Sequence, residues 1–418
     1  MVSTSSYKEI TKCRLCKSAD ISSIVDFGNI PLGNDLQTNQ SLALKTQAYP
    51  LCINRCSSCE HFQLSVSVNP EKLYATNYTY LSGIGKSFVS HLETYSDWVC
   101  KEFSLGKNSL IVDVGSNDGT CLKFFKQKEC KVLGVDPATL PSEIANKNNI
   151  PTINSFFNDE TVDYIIKKYG QADFITSHNV LAHVYDLRNV FANIFRLLKY
   201  QSTFIFEIGY FRMVLENDCF DTTYHEHLDY HHAKPLTKFL RSLGFDVIDL
   251  TTNSVQGGSL RIQLKKTGDG KISKKAEEFI NLESESILYN EPYLTNWAGN
   301  IETTMSEFGS VVKEYVMAGH TIAGYGVPTK ATLLLTLSNL NINQIPYIVE
   351  DNSLKVGRFL PITGIPIFNV DELEIKKPEI IIIFAWNFAN DIVEKLRKFV
   401  NWKCKIIVPL PYCKEIEL

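Results

Sequence analysis

Apolar residues in this chain come in short runs set between polar turns. Leu110–Val114, Val132–Val135, Ala172–Ser177 and Thr203–Ile208 are such runs. They do not alternate with polar positions, which is the pattern of strands buried on both faces. Amphipathic stretches such as Leu187–Lys199 lie between them and predict helices. Strands alternating with helices predict a parallel sheet with crossover connections. The charged stretch 270–305 predicts a linker helix. Beyond it the alternation returns, with strand-like Gly319–Tyr325, Pro346–Val349, Ile380–Ala385 and Lys405–Val408. The predicted class is α/β. A loop-rich module covers residues 1–80, a doubly wound sheet 81–268, and a linker helix with a second Rossmann-like α/β domain 269–418.

Composition narrows the choice of partner. The 418 residues suit two or three domains at roughly 100–200 residues each. Lys and Arg total 42 against 46 Asp and Glu, a formal charge of -4. That balance gives no general attraction to a polyanion, so no nucleic-acid partner is expected. The longest apolar run, near Ile380–Trp386, falls short of the roughly 18 residues a membrane helix needs, so no membrane partner is expected. Met1–Glu9 is polar and lacks the apolar core of a signal peptide, so a soluble cytoplasmic protein is expected. Eleven cysteines in such a chain point to metal binding rather than a disulfide framework.

Cys13-Arg-Leu-Cys16 and Cys56-Ser-Ser-Cys59 form a CxxC…CxxC pattern. Each turn puts two thiolates on one side of an ion, and together they complete the tetrahedron that structural zinc prefers. The long gap between the pairs implies an insertion loop. Four protein ligands leave no open position for catalysis. Cys52, close to Cys56, is a possible decoy.

Leu110–Val114 runs into Gly115-Ser-Asn-Asp-Gly119 and then a helix from about Cys121. A glycine-bearing turn at the carboxyl end of a first strand is where doubly wound folds bind ligands. The absence of GxGxxG and of GxxxxGKS disfavours a dinucleotide or a nucleoside triphosphate there. The next strand ends in Asp136, about 20 residues on, a spacing suited to an acid that accepts from ribose hydroxyls; a turn or helix-cap role is its plain structural alternative. Phe156 or Phe157, after a third short strand, could flank an adenine, and core packing is the competing account.

Asp113-Val-Gly-Ser-Asn-Asp-Gly119 with Gly134-Val-Asp136 resembles motif I and the acidic loop of class I methyltransferases. The wording is most similar to the sugar C-methyltransferases that act on nucleotide-linked 4-keto-deoxysugars. The likeness extends through Pro31-Leu-Gly-Asn34, Gln63-Leu64, Asn179-Val-Leu-Ala-His183, Tyr224-His-Glu-His227, Gly257-Gly-Ser-Leu-Arg261, Gly324-Tyr-Gly326 with Lys330, and Lys355-Val-Gly-Arg358 with Pro361. The order of these pieces is more specific than any one of them. The resemblance implies an N-terminal zinc module, a central methyltransferase domain and a C-terminal Rossmann-like domain. It implies S-adenosylmethionine and Zn2+ as cofactors. The cofactor would be held by Asp113, Gly115, Asn117, Asp118, Gly119, Asp136, Pro137, Phe156 and Asn179.

Four of nine histidines, His225, His227, His231 and His232, crowd into Tyr224–His232 beside Glu226. Methylation at carbon next to a ketone needs a base, and something to steady the enolate. Histidine titrates near neutrality, a neighbouring carboxylate orients it, and hydroxyl or imidazole donors stabilise the oxyanion. By resemblance His227 is the base, Tyr224 and Glu226 line the site, His183 faces it, and Tyr78 closes it. A second metal site built from His225, His227 and His231, and a surface cluster without a role, are the alternatives. Arg261, beyond two glycines, is a candidate anion partner, with Ser259 beside it. Gln256 stands where the family usually has histidine, which supports a hydrogen bond there and no proton transfer.

In the C-terminal part, Tyr325 and Lys330 belong to a strand–glycine turn–helix segment that could cradle a diphosphate. Asp351 follows a strand, Lys355 and Arg358 add positive charge, and Asn387 with Trp386 could shape a base pocket. The resemblance implies that this domain holds the nucleotide of a dTDP- or GDP-linked sugar. The expected reaction is S-adenosylmethionine-dependent C-methylation of a nucleotide-linked 4-keto-deoxysugar, at C-3, by a monomer or homodimer. A zinc-bearing nucleic-acid methyltransferase, a sugar O- or N-methyltransferase, and a binding protein without activity are the competing classes.

Overall fold

Strand and helix periods in the described chain follow the predicted alternation. The computed structural model describes residues 6–75 and 80–418. The central sheet has seven strands: β1 (Leu110–Val114), β2 (Lys131–Asp136), β3 (Thr152–Asn154), β4 (Ala172–His178), β5 (Leu198–Gly209), β6 (Phe245–Asn253) and β7 (Ser259–Lys266). Their order is β6-β7-β5-β4-β1-β2-β3. β1 to β5 pair in parallel, and β7 runs antiparallel to both β5 and β6. Sequence neighbours part company at β1, which lies between β2 and β4. Doubly wound sheets open a ligand crevice at such a reversal, beyond the carboxyl ends of the strands.

All five residues of β1 are buried. Alternate side chains reach opposite faces of the sheet, so one strand feeds two cores. Ile111 packs with Phe174 and Ile205 against α1 (Lys86–Glu102), whose Phe88, Leu92, Tyr95 and Val99 recur at helical spacing. Val112 and Val114 face the other way, with Ile175, Phe204 and Phe206. Full burial of each such side chain stabilises by about 1.5–3 kcal/mol. α2 (Thr120–Gln127) follows the glycine turn. α3 (Leu187–Leu197) starts where Asp186 accepts from the Asn189 N–H at 3.0 Å and stops where Leu198 turns extended into β5. α4 (Ala233–Ser242) is capped by Glu283, which accepts the Ala233 and Lys234 N–H groups.

The predicted linker helix is two helices. α5 (Lys274–Ser284) ends before Tyr289, and α6 (Glu291–Met317) begins afresh. The break follows from Pro292, which is tolerated only in a first turn, and from Asn290, whose side chain accepts from the Tyr293 N–H at 3.0 Å. Past α6 lies a six-stranded sheet: β8 (Ile322–Tyr325), β9 (Ile348–Glu350), β10 (Ile367–Asn369), β11 (Ile380–Ile383), β12 (Lys405–Val408) and β13 (Lys414–Glu417). The order is β10-β9-β8-β11-β12-β13, parallel except for β13. It reverses at β8 just as the central sheet reverses at β1.

Two compact units emerge, and neither is continuous in sequence. One comprises Met1–Ser22, Asn54–Met213 and Glu226–Tyr289; the other comprises Ser23–Ile53, Val214–His225 and Asn290–Leu418. Within the second, Gln37 and Phe359 exchange backbone hydrogen bonds at 3.0 and 2.9 Å. Gly33 lies so close to Thr329 that a Cβ would stand 2.0 Å from its carbonyl oxygen, which explains the glycine in Pro31-Leu-Gly-Asn34. Among the described residues, no helix is long and apolar enough to cross a membrane.

Glu207 on β5 joins α1 to the antiparallel edge of the central sheet. It is 1% exposed, yet it accepts from His91 Nε2 at 2.7 Å, Arg261 Nε at 2.7 Å and Asn253 Nδ2 at 3.2 Å. Burial alone would raise its pKa; the His91 hydrogen bond and the nearby positive charges instead hold it down at about 2. A folded-state pKa below the unfolded value adds stability that is complete above pH 4.5 and declines as pH falls toward 2. Glu207→Gln should therefore cost about 3 kcal/mol at neutral pH. In urea unfolding, the gap between wild type and variant should shrink by about 1 kcal/mol on moving from pH 7 to pH 3.5. An unchanged gap would contradict this account.

Candidate active site and metal centre

The four predicted cysteines meet. The sulfur atoms of Cys13, Cys16, Cys56 and Cys59 all lie within 4.8 Å of one another. Cys13 and Cys59 are 3.5 Å apart, and Cys16 and Cys56 are 3.6 Å apart. A disulfide requires about 2.05 Å. The edge of a tetrahedron with Zn–S bonds of about 2.3 Å is roughly 3.8 Å. The two knuckles share one build. Lys17 and Glu60, each just past its CxxC, take left-handed φ of 67° and 69°. Their N–H groups donate back to the Cys13 and Cys56 carbonyls at 2.9 and 2.7 Å. This all-thiol, closed donor set fits zinc in a structural role. Cys52 stands apart and pairs with the Ser23 hydroxyl at 3.2 Å.

A cavity of about 450 Å3 opens at the carboxyl ends of β1, β2 and β4. Gly115, Asn117, Asp136, Pro137, Phe156, Asn179 and His183, all singled out from sequence, line it together. Asp136 receives the Asn117 N–H at 2.9 Å and the Ala138 N–H at 2.8 Å, so the strand-end acid also shapes the glycine turn. Gly115 has φ of +75°, and a Cβ there would come within 2.2 Å of Val180 Cγ2. Asn117 and Asp118 tie down the segment behind the zinc module: they accept from the Ser82 and Gly83 N–H groups at 2.9 and 2.8 Å. Gly119 caps α2 in the left-handed region, at φ of +79°.

Polar atoms without protein partners cluster here: His178 lines the crevice, and a carboxylate oxygen of Asp113 lies within 4.8 Å of a His178 ring nitrogen. His178, at the end of β4, lines the cavity with neither ring nitrogen hydrogen-bonded, and burial lowers its pKa to about 4. Asp113 Oδ1 has no partner, and burial, then the Asp136 charge, raises the carboxyl to about 8. Orphaned buried donors and acceptors beside a cavity of this size fit a polar, nucleoside-sized cofactor.

His183 and His227 come together, with ring centroids 4.7 Å apart and planes at 75°. Tyr74 stands behind them; Tyr78 lies outside the described residues. The Tyr74 hydroxyl donates to the Glu226 carbonyl at 3.1 Å, so it can only accept from His183 Nδ1, 3.2 Å away. The His183 ring also hydrogen-bonds the Asn179 and Glu226 backbones. Burial, and then the neighbouring His227, push the pKa of His183 well below 6.5. Glu226 is buried and Tyr224 half-buried.

The other histidines have structural partners. His225 Nε2 donates toward the Tyr49 and Pro50 carbonyls at 3.3 and 3.2 Å, and His231 Nε2 toward that of Leu181 at 3.4 Å. His232 lies between Glu283 and the Glu60 carbonyl. The candidate metal trio of His225, His227 and His231 is not among the metal-sized groups found in the described residues. Arg261, expected to reach outward to an anion, is turned inward onto Glu207 and lies over the Tyr95 and Trp98 rings. Ser259 donates its hydroxyl to the Val255 carbonyl at 3.1 Å.

In the C-terminal sheet the strand-end acid is Glu350. It accepts the Val327 N–H at 2.7 Å and the Asn352 N–H at 3.0 Å, the arrangement Asp136 makes in the central sheet. Asp351, the acid picked from sequence, instead receives the Tyr325 hydroxyl at 2.7 Å and pairs with Lys395. Lys330 pairs with the fully buried Asp221 at 2.9 Å, donates to Asn387, and lies 4.7 Å from the Trp386 ring centre. Trp386 donates to the same Asp221 oxygen. Lys355 donates to the Val327 carbonyl at 2.6 Å. Arg358 is half-buried, and its N–H pairs with the Lys355 carbonyl at 3.2 Å.

Two outcomes follow from this geometry. Protein purified without chelator should carry one zinc per chain by atomic emission, and Cys59→Ser should lose it and melt earlier; a metal-free wild type would refute the structural-zinc reading. Gly115→Ala places a Cβ against Val180 at a positive φ, so S-adenosylmethionine affinity should fall about tenfold or more by calorimetry. Unchanged affinity would mean that the turn has room to spare.

Three family models match in succession. "Putative zinc binding domain" covers residues 13–74, "Methyltransferase domain" 88–250, and "C-methyltransferase C-terminal domain" 254–411. The chain is 29% identical over 405 residues to C-methyltransferase NovU of Streptomyces niveus, covering 97% of this chain and 96% of that one. Among solved structures, the magnesium protoporphyrin IX methyltransferase ChlM of Synechocystis PCC 6803 with bound SAM is 14% identical, covering 43% of this chain and 79% of that one at a TM-score of 0.33. A S-adenosylmethionine-dependent methyltransferase of Clostridium acetobutylicum is 12% identical, covering 43% and 92% at a TM-score of 0.36. Nothing about substrate follows from likeness at that level. The three successive matches, with the likeness to NovU along 97% of the chain, make this an S-adenosylmethionine-dependent methyltransferase with an N-terminal zinc-binding domain and a C-terminal domain of the C-methyltransferase type.

Proposed function

We propose that this C-methyltransferase acts on a nucleotide-linked 4-keto-deoxysugar and adds the methyl group at C-3. The observation that carries the reading is the second sheet. Glu350 repeats there the two N–H contacts of Asp136, at the same strand-order reversal. A methyltransferase needs one nucleoside crevice for its cofactor; a second of the same build suits a substrate that carries its own nucleotide.

When bound, S-adenosylmethionine supplies an electrophilic methyl group. The chain's own residues prepare the carbon that receives it. His227 takes the proton from C-3, and the electron pair moves into the enolate with the charge on the 4-keto oxygen. His183, held by Tyr74, orients His227. Glu226 adjoins His227 in the chain, and the Tyr224 hydroxyl is the donor proposed for the oxyanion. Tyr325, Lys330, Lys355, Arg358 and Asn387 are proposed to surround the nucleotide diphosphate, with Glu350 rather than Asp351 on its ribose.

Turnover should be read in deuterated buffer with dTDP- and GDP-linked 4-keto-6-deoxysugars, by mass spectrometry and carbon NMR. One methyl on carbon is expected. His227→Ala should lower kcat by about 10²–10⁴ while still binding S-adenosylmethionine, and should lose deuterium exchange at C-3. Methyl on oxygen, or on RNA alone, would replace this reading.

A further inference from the structure

Arg14 sits inside the first CxxC turn, between two zinc ligands, yet its side chain leaves the knuckle. Its Nε donates to Asp229 Oδ1 at 2.9 Å. Nη1 donates to the Tyr185 carbonyl at 3.1 Å, and Nη2 to the Val184 carbonyl. Its backbone N–H is fixed by Gln63 Oε1 at 2.7 Å, and Gln63 lies opposite Asp229 in a short antiparallel pairing. The acceptors belong to two loops. Val184 and Tyr185 directly follow His183, and Asp229 lies two residues beyond His227.

The second knuckle reaches the same point. His61, two residues past Cys59, meets Asp229 Oδ1 at 2.9 Å. The Asp229 side chain is wholly buried, and that of Arg14 is 9% exposed. A buried carboxylate stays charged only with such partners around it. A guanidinium fork suits the task because it serves three acceptors in fixed directions, where an ammonium offers a single point of charge.

We infer that Arg14 is a positioning residue: it uses the zinc knuckle as an anchor to hold the His183 and His227 loops in register. The zinc module is then part of the active-site scaffold and not only a stabilised appendage. Neither Arg14 nor Asp229 touches the reacting atoms. Both act through the loops they tie.

The test uses the full-length holoprotein with Arg14→Lys, Arg14→Ala and, from the other side of the link, Asp229→Asn. Zinc per chain is measured by atomic emission, and loop order by amide hydrogen exchange with mass spectrometry. Every variant should keep one zinc per chain. Amides in 181–187 and 226–231 should exchange about tenfold to a hundredfold faster in Arg14→Ala, with partial recovery in Arg14→Lys. Stripping zinc from the wild type should loosen the same two segments and add little in Arg14→Ala. With an accepted ketosugar, kcat should fall while KM for S-adenosylmethionine holds. That last arm rests on the proposed C-methylation of a ketosugar and the exchange arm does not, so failure of one is distinguishable from failure of the other. Unchanged exchange with zinc retained would overturn the inference. So would loss of zinc in Arg14→Lys, because Arg14 would then serve the knuckle alone.

Discussion

A carboxylate taken out of water must be met by donors on several sides, and this chain places one at each of its main joints. Asp136 gathers two backbone N–H groups where the cofactor turn meets the second strand. Glu207 binds α1 to the antiparallel edge strands. Asp229 holds Arg14 and His61 at the loop after His227. Glu283 caps α4 while receiving the Tyr210 hydroxyl at 2.8 Å. Apolar packing makes the sheets cohere, but it is non-directional. The acids supply direction, and unpaired each would be costly, so each dictates which elements meet.

The doubled architecture follows the same rule. Two sheets reverse strand order at the first strand, and in both the acid ending the next strand closes the turn by accepting an N–H from it. The central acid, Asp136, was legible in the sequence because the strand before it ends cleanly at Pro137. In the C-terminal sheet the acid in this position is Glu350, one residue before the Asp351 picked from sequence. Glu350 and Asp351 are consecutive acids, and only the register of β9 decides which stays in line with the sheet. Neighbouring residues of a strand point to opposite sides, so an error of one exchanges a turn-closing acid for one that pairs with Lys395.

Local chemistry was readable from the chain; contacts between distant segments were not. The CxxC pairs, the glycine turn and the strand–helix alternation announce themselves within a few residues. Tyr74 does not, because nothing near it in sequence says that it will meet His183, 109 residues on. Tyr78, expected from the same stretch, lies outside the described residues. Arg261 looked available because two glycines precede it, but its partner, Glu207, is 54 residues earlier on the neighbouring strand. The linker helix was split by Pro292, a signal present in the sequence and outweighed by the charge pattern.

The two close histidines set a limit on the proton inventory of the proposed reaction. At a centroid separation of 4.7 Å, two imidazolium rings would repel strongly in a buried setting. His183 is driven to its neutral form by burial and by any charge on His227. The His183 ring is held by the Tyr74 hydroxyl and by the Asn179 and Glu226 backbones. Burial and this proximity disfavour a second positive charge on the pair. In the proposed reaction the base gains its charge as the substrate loses its proton. Tyr74 bridges the His183 ring and the Glu226 carbonyl, so it also holds the chain just before His227.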